Sequence, residues 1–187
     1  MITMLATNWF HVLVIQGGVI GWVIWLINIV LWGLIVKNAM DLRREAISPD
    51  TLRLELDEMF EARQYREVLE RTEDDPSTLG FIMHSAMGQA NYGYGAMERA
   101  LEEAAEDRLV RMMRNIEWLN LIGNVGPMLG LMGTVLGMIM AFFDIVAAGG
   151  SPNPAALAGS IGIALVTTLL GLIVAVPALS AYAIFRN

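Results

Sequence analysis

Two threonines in the C-terminal half of the chain are placed where a hydroxyl could do chemistry. Thr134 lies in the charge-free stretch GNVGPMLGLMGTVLGMIMAFF and Thr168 in IGIALVTTLLGLIVAVPAL, where a lipid-facing helix needs only apolar residues. A threonine hydroxyl does not ionise near neutral pH, but it donates and accepts hydrogen bonds and so can serve an ion, a water or a carboxylic acid. Polar and helix-breaking residues at membrane depth are costly, and they mark a pathway or a helix contact. Taking Glu117 and Arg186 as marks of the cytoplasmic face, Thr134 lies 17 residues beyond the first and Thr168 lies 18 before the second. At 1.5 Å per residue both hydroxyls are about 25 Å from those marks, at one level in antiparallel helices. Pro127 and Pro177 match as well, at 10 and 9 residues. The competing reading is that each hydroxyl only bonds back to the carbonyl four residues earlier, and for a depth-matched pair the two readings weigh about equally.

The hydrophobic interior holds no Asp, Glu, Lys, Arg or His. His11 sits at the outer edge, His84 in the cytoplasmic segment, and Asp144 about 15 Å from Thr134, near the outer surface. Asp144 reads as an interfacial charge rather than a relay. A protonatable carboxylate at mid-membrane would therefore have to come from a partner. No HExxH, phosphate-binding loop, nucleophile elbow or buried carboxylate pair occurs, so no enzyme activity is expected. The 13 methionines and five tryptophans need no cofactor: methionine fills gaps, and Trp9, Trp22, Trp25, Trp32 and Trp118 suit interfacial or lipid-facing positions. Gln16 and Asn28 are candidates for bonding a neighbouring helix. With no cysteine there is no disulfide framework and no thiolate metal site, and no metal or other cofactor is expected.

The elements that must position the hydroxyls follow from where charge is placed. Of 12 basic residues, 11 fall between Lys37 and Arg114, and of 19 acidic residues, 18 fall between Asp41 and Glu117. Three apolar stretches remain, Val12 to Val36, Trp118 to Phe143 and Ala155 to Phe185, each long enough for the roughly 20 residues a bilayer core requires. Lys37, Arg43 and Arg44 follow the first, Arg108, Arg111 and Arg114 precede the second, and Arg186 follows the third, which predicts a periplasmic N-terminus and a cytoplasmic segment over 37–117. That segment carries a charge of −7, so nucleic acid is not an expected partner. The first stretch lacks a basic n-region and a small-residue cleavage site, and is expected to remain as an anchor. The predicted organisation is a periplasmic N-terminus and first span over 1–36, a helical cytoplasmic domain over 37–117, a second span over 118–145, a periplasmic turn over 146–154 and a third span over 155–187. Ser48-Pro49-Asp50 predicts a capped helix start with proline at its first position and an end near Ala62. Asp74-Asp75-Pro76-Ser77 breaks and restarts the pattern, giving a helix over Thr78 to Asn91, and Tyr92 to Gly95 is a hinge. From Ala96, apolar residues at spacings of three and four predict a helix that enters the membrane unbroken and projects about 30 Å into the cytoplasm. Gly149 to Pro154 is a turn.

Small residues stripe both C-terminal spans. Gly126, Gly130, Gly133 and Gly137 recur at four, three and four, and Ser160, Ala164, Thr167, Gly171, Ala175 and Ala178 do the same on the third span. Such faces let backbones approach closely where lipid removes the hydrophobic drive. They are expected to pack, either within one chain or between copies, with Pro127 and Pro177 as packing or hinge positions.

Pro127-Met128-Leu129-Gly130-Leu131-Met132-Gly133-Thr134-Val135-Leu136-Gly137, with Ala164-Leu165-Val166-Thr167-Thr168 and the run Gly171 to Ala178, resembles the signature of the MotA/TolQ/ExbB proton-channel family. Three spans around one cytoplasmic insertion are similar to the TolQ and ExbB branch. The resemblance implies an all-α, multi-pass protein of the bacterial inner membrane, with a homopentamer surrounding two copies of a single-span TolR/ExbD-like protein whose membrane aspartate carries the proton. A TolA/TonB-like protein is a further implied partner. Thr134 and Thr168 fall on the family's pore-lining threonines, and Thr167 is assigned with them to the ion pathway. The implied ion is H+, with Na+ not distinguished. Relatives often carry a glutamate five residues before the second threonine where this chain has Ile163, and they continue beyond the third helix into a basic tail, where this sequence stops at Arg186-Asn187. An end at that point would weaken cytoplasmic contacts between subunits.

Two functions therefore compete: a channel and motor subunit coupling proton passage to force on a periplasmic partner, and a non-conducting scaffold of the same fold that only stabilises partner helices. Ile163 keeps the second in play. A self-sufficient channel is disfavoured because no titratable group lies inside.

Overall fold

A computed structural model of the chain describes residues 18–151 and 153–187. Trp9, His11, Gln16, the first six residues of the predicted Val12 to Val36 span, and Pro152 lie outside the described residues. Seven α-helices are present among those described: α1 (Gly18–Asp41), α2 (Arg44–Ile47), α3 (Asp50–Glu61), α4 (Tyr65–Glu73), α5 (Thr78–Gly88), α6 (Tyr94–Ala147) and α7 (Pro154–Arg186), with a 3-10 turn at Ala90–Tyr92. Helices α1, α6 and α7 are long and apolar enough to cross a membrane. The chain divides into two compact units, one of residues up to 35 with 117–187 and the other of 36–116.

In the first unit, α1 buries Ile24 and Leu31, seven residues apart, against Leu119 of α6 and Leu170, Val174, Ala178 and Ala181 of α7. Trp22, Leu26, Ile29 and Trp32 stay exposed on the rest of α1, as lipid-facing side chains can. The helix runs on to Asp41 rather than ending at Val36. Lys37 marks where apolarity stops, but Lys37, Asn38, Ala39 and Met40 contain nothing that breaks helical hydrogen bonding. Asn153 starts α7 by accepting from the Ala155 backbone N–H at 2.9 Å, and Pro154 occupies the first turn, where its missing N–H costs nothing. Neither Pro127 nor Pro177 interrupts its helix.

In the second unit, Leu52 and Leu56 of α3, Val68 of α4 and Met87 of α5 form a core with Met59, Phe60, Leu69, Leu79, Met83 and Met97 packed on it. The start of α3 corrects the sequence reading. Pro49 is extended at the cap position, not inside the helix, and no side-chain hydrogen bond caps it. Ser48 instead closes α2, its backbone N–H bonding to the Arg44 carbonyl. Helix α4 falls between the expected end near Ala62 and the break at Asp74, where the sequence reading assigned no element. It is short and mostly charged, and Val68 and Thr72 are its buried residues. Helix α5 ends at Gly88, three residues before the expected Asn91, as the chain tightens into the 3-10 turn. Its start is held by Ser77, whose hydroxyl accepts from Gly80 N–H at 3.0 Å, and by Asp75, which accepts from Ser77 N–H at 2.9 Å. Arg71 ties Asp75 to Glu55 of α3 at 3.3 and 2.8 Å. Helix α6 starts two residues before Ala96, after Gly93 at φ 90°, a backbone angle that favours glycine.

Candidate functional site

The glycines of α6 meet the small residues of α7 within this one chain. A methyl group placed on Gly126 falls 3.1 Å from the Gly171 carbonyl oxygen, and one on Gly130 falls 3.0 Å from that of Thr167. One on Gly133 would overlap the Thr167 hydroxyl, and one on Gly137 falls 2.8 Å from the Ala164 Cβ. One on Gly171 falls 2.7 Å from the Gly126 carbonyl. From Gly126 to Gly137 along α6 the partners run back along α7 from Gly171 through Thr167 to Ala164, which is antiparallel packing at backbone contact. The alternatives left open by the sequence are thereby reduced to one: this stripe is used inside the chain.

The seam sets the three hydroxyls apart. Thr167 is 1% exposed, and its Oγ1 donates to the Ala164 carbonyl at 2.9 Å, with that of Ile163 at 3.2 Å. It is a seam residue, buried beneath Gly133. Thr168 is half-buried, with Oγ1 lying 3.4 Å from two carbonyls, Ala164 on its own helix and Gly130 across the seam. Thr134 is also half-buried, and its Oγ1 donates to the Leu131 carbonyl at 2.6 Å. Backbone carbonyls can only accept, so the protons of these hydroxyls point to the backbone. What Thr134 and Thr168 offer outward is oxygen lone pairs. Pro127 and Pro177 lack the N–H that would otherwise bond the carbonyls of Gly123 and Ile173, which adds acceptor capacity at a second level. The arrangement suits a donor: water, a hydrated proton or a protonated carboxylic acid.

Sequence reasoning missed one polar contact. The stripe continues from Gly137 through buried Ala141 to half-buried Asp144, and the Asp144 carboxylate accepts from Ser160 Oγ of α7 at 2.8 Å. The charge read as interfacial is thus also the outer clamp of the seam. The spacing of four and three beyond Gly137 was the available signal, once Ser160 is placed opposite. Asn28 of α1 lines a cavity of about 80 Å³ with Leu170, Ile173 and Val174 of α7. No group of three or more metal-ligating carboxylates, histidines or cysteines occurs among the described residues.

The comparisons with known proteins bear on the same region. Biopolymer transport protein exbB1 of Vibrio cholerae is 50% identical over 62 residues, 33% of this chain and 27% of its own length. Biopolymer transport protein ExbB of Xanthomonas campestris is 35% identical over 101 residues, 54% of this chain and 40% of the relative. Biopolymer transport protein ExbB of Pseudomonas putida is 27% identical over 169 residues, 86% of this chain and 50% of the relative. The chain thus spans half or less of the length of these relatives. The sequence profile of the MotA/TolQ/ExbB proton channel family matches residues 53–187. That match takes in the whole seam, Thr134, Thr167 and Thr168, and together with three apolar helices it makes this a multi-pass membrane protein. The chain belongs to the MotA/TolQ/ExbB proton channel family.

Proposed function

We propose that the chain is a subunit of an inner-membrane proton-channel complex that converts the proton motive force into mechanical work on a periplasmic or outer-membrane partner, in the manner of the TolQ/ExbB branch. The observation that carries this reading is the pair of half-buried hydroxyls, Thr134 and Thr168, on two helices locked together by the glycine seam. Five copies surround two copies of a TolR/ExbD-like single-span protein, and the aspartate of that partner brings the proton to the threonine level. Oriented as acceptors, the hydroxyls receive a hydrogen bond from the protonated acid and stabilise it against ionisation at that depth. The N-terminus is periplasmic and residues 37–117 are cytoplasmic. H+ is the transported ion, and the membrane potential supplies about 2.3 kcal/mol per charge for each 100 mV.

The test is partner-dependent proton flux in vesicles holding the co-expressed complex. Each of Thr134→Val and Thr168→Val keeps the side-chain volume and removes one hydrogen bond, worth about 1–1.5 kcal/mol, so each is expected to slow flux about tenfold while the mass of the assembly stays unchanged. Unchanged flux in both variants refutes the role given to the two hydroxyls. No partner-dependent flux in the parent complex refutes conduction and leaves the scaffold reading, favoured by Ile163, which puts an apolar side chain where many relatives have a glutamate.

A further inference from the structure

Within the second unit, Phe60 of α3, Met83 and Met87 of α5, and Tyr94, Met97 and Leu101 of α6 line an open groove of about 320 Å³. Its floor is the core itself, since Met87 is buried there and Phe60, Met83 and Met97 pack on that core. Its α6 wall is open: Tyr94 is 78% and Leu101 39% exposed. Glu98 and Glu102, one helical turn apart, complete the same wall, both exposed.

We propose that this groove is a docking site for a cationic amphipathic helix of a partner protein. Tyr94, Met97 and Leu101 recur at three and four over about 10 Å of α6, the length over which a second helix presents apolar anchors at i, i+4 and i+7. Methionine is unbranched and polarizable, and it adapts to irregular apolar surfaces. Glu98 and Glu102 stand beside those anchors, where lysine or arginine flanking an apolar stripe would meet them. Residues 36–116 hold 11 basic and 17 acidic residues. A second copy of this unit would bring like charge to the groove, and opposite charge is what selects partners. The proposal is independent of ion flow through the membrane helices.

This sequence has no cysteine, so Leu101→Cys gives the chain, assembled in zwitterionic nanodiscs, a single reporter thiol in the groove. The probe is an 18-residue leucine–lysine amphipathic peptide with one photoreactive benzoylphenylalanine on its apolar face. A leucine–glutamate peptide with the same apolar face and peptide binding to empty nanodiscs serve as controls. The expected result is rapid maleimide labelling of Leu101→Cys that the lysine peptide slows at least fivefold, and photolabels in the parent protein at Met83, Met87 or Met97. The leucine–glutamate peptide should do neither. E98K/E102K should abolish photolabelling, and E98Q/E102Q, which adds no positive charge, should weaken it severalfold with the helical circular dichroism unchanged. Photolabels confined to α1 or α7, or labelling indifferent to E98Q/E102Q, would overturn the proposal. So would a Leu101→Cys thiol that stays unreactive in the assembly, because a second copy of the chain would then cover the groove.

Discussion

Gly137→Ala tests whether the glycine seam sets the separation of α6 and α7. The added methyl falls 2.8 Å from the Ala164 Cβ, 2.9 Å from the Ser160 carbonyl oxygen and 3.1 Å from the Ala164 Cα. Carbon atoms rest at about 3.5–4.0 Å from one another, so relief of the nearest contact requires about 0.7 Å. No rotamer change supplies it, because two of the three atoms are backbone and the third is fixed to it. The helices must part or bend, and a gap of that size forfeits about a quarter to a half of the dispersion energy of the contacts it opens. Overpacking of this kind costs about 1–3 kcal/mol. Alanine's advantage in helix propensity, about 1 kcal/mol in water, counts for less where the separated segments are already helical in the membrane. The expected net loss is about 1–2 kcal/mol. Gly162→Ala on α7 is the matched control, since a methyl there meets nothing within 4 Å. It should stay within about 0.5 kcal/mol of the parent. Unfolding by SDS in mixed micelles, followed by tryptophan fluorescence, compares the two. If both variants unfold at the same SDS mole fraction as the parent, close packing along this seam does not hold the hairpin together.

The same assay reads the outer clamp. Ser160→Ala removes the 2.8 Å donor to Asp144 and should cost about 1 kcal/mol, whereas Asp144→Asn keeps an oxygen acceptor and should cost less. Equal and negligible effects would mean the contact does not contribute. In the second unit, burial pushes the Asp75 carboxyl up, but the hydrogen bonds from Ser77 and the neighbouring Arg71 guanidinium together hold it below the usual carboxylate range. A depressed folded value stabilises the fold above the unfolded pKa, and that contribution is lost as pH falls through the folded value. Protection factors for amide exchange in α4 and α5, taken relative to the intrinsic rate at each pH, should therefore fall below about pH 4, and Asp75→Asn should flatten that part of the profile. An equally steep profile in the variant would refute the role given to Asp75.

Much of the site was legible in one dimension. The three apolar stretches and a turn from Gly149 that ends as Asn153 and Pro154 start α7 depend on local composition and turn chemistry, which the order of residues carries by itself. Segment boundaries were less legible where the deciding interaction is weak or non-local. Lys37 marks the end of apolarity but not of α1, and α4 exists because Val68 finds Leu52 and Leu56, not because its charged sequence demands a helix. Two further features came only from the tertiary structure. The sequence presents Thr167 and Thr168 as equivalent neighbours, yet the turn of the helix between them places one hydroxyl inside the seam at 1% exposure and leaves the other half-open. Likewise Asp144 and Ser160 lie 16 residues apart along the chain, and only antiparallel closure of α6 on α7 brings them to 2.8 Å. Depth along a helix is fixed by composition and rise, which every residue carries locally. The direction a side chain faces has meaning only relative to a packed neighbour, and that neighbour is chosen by which surfaces can approach most closely.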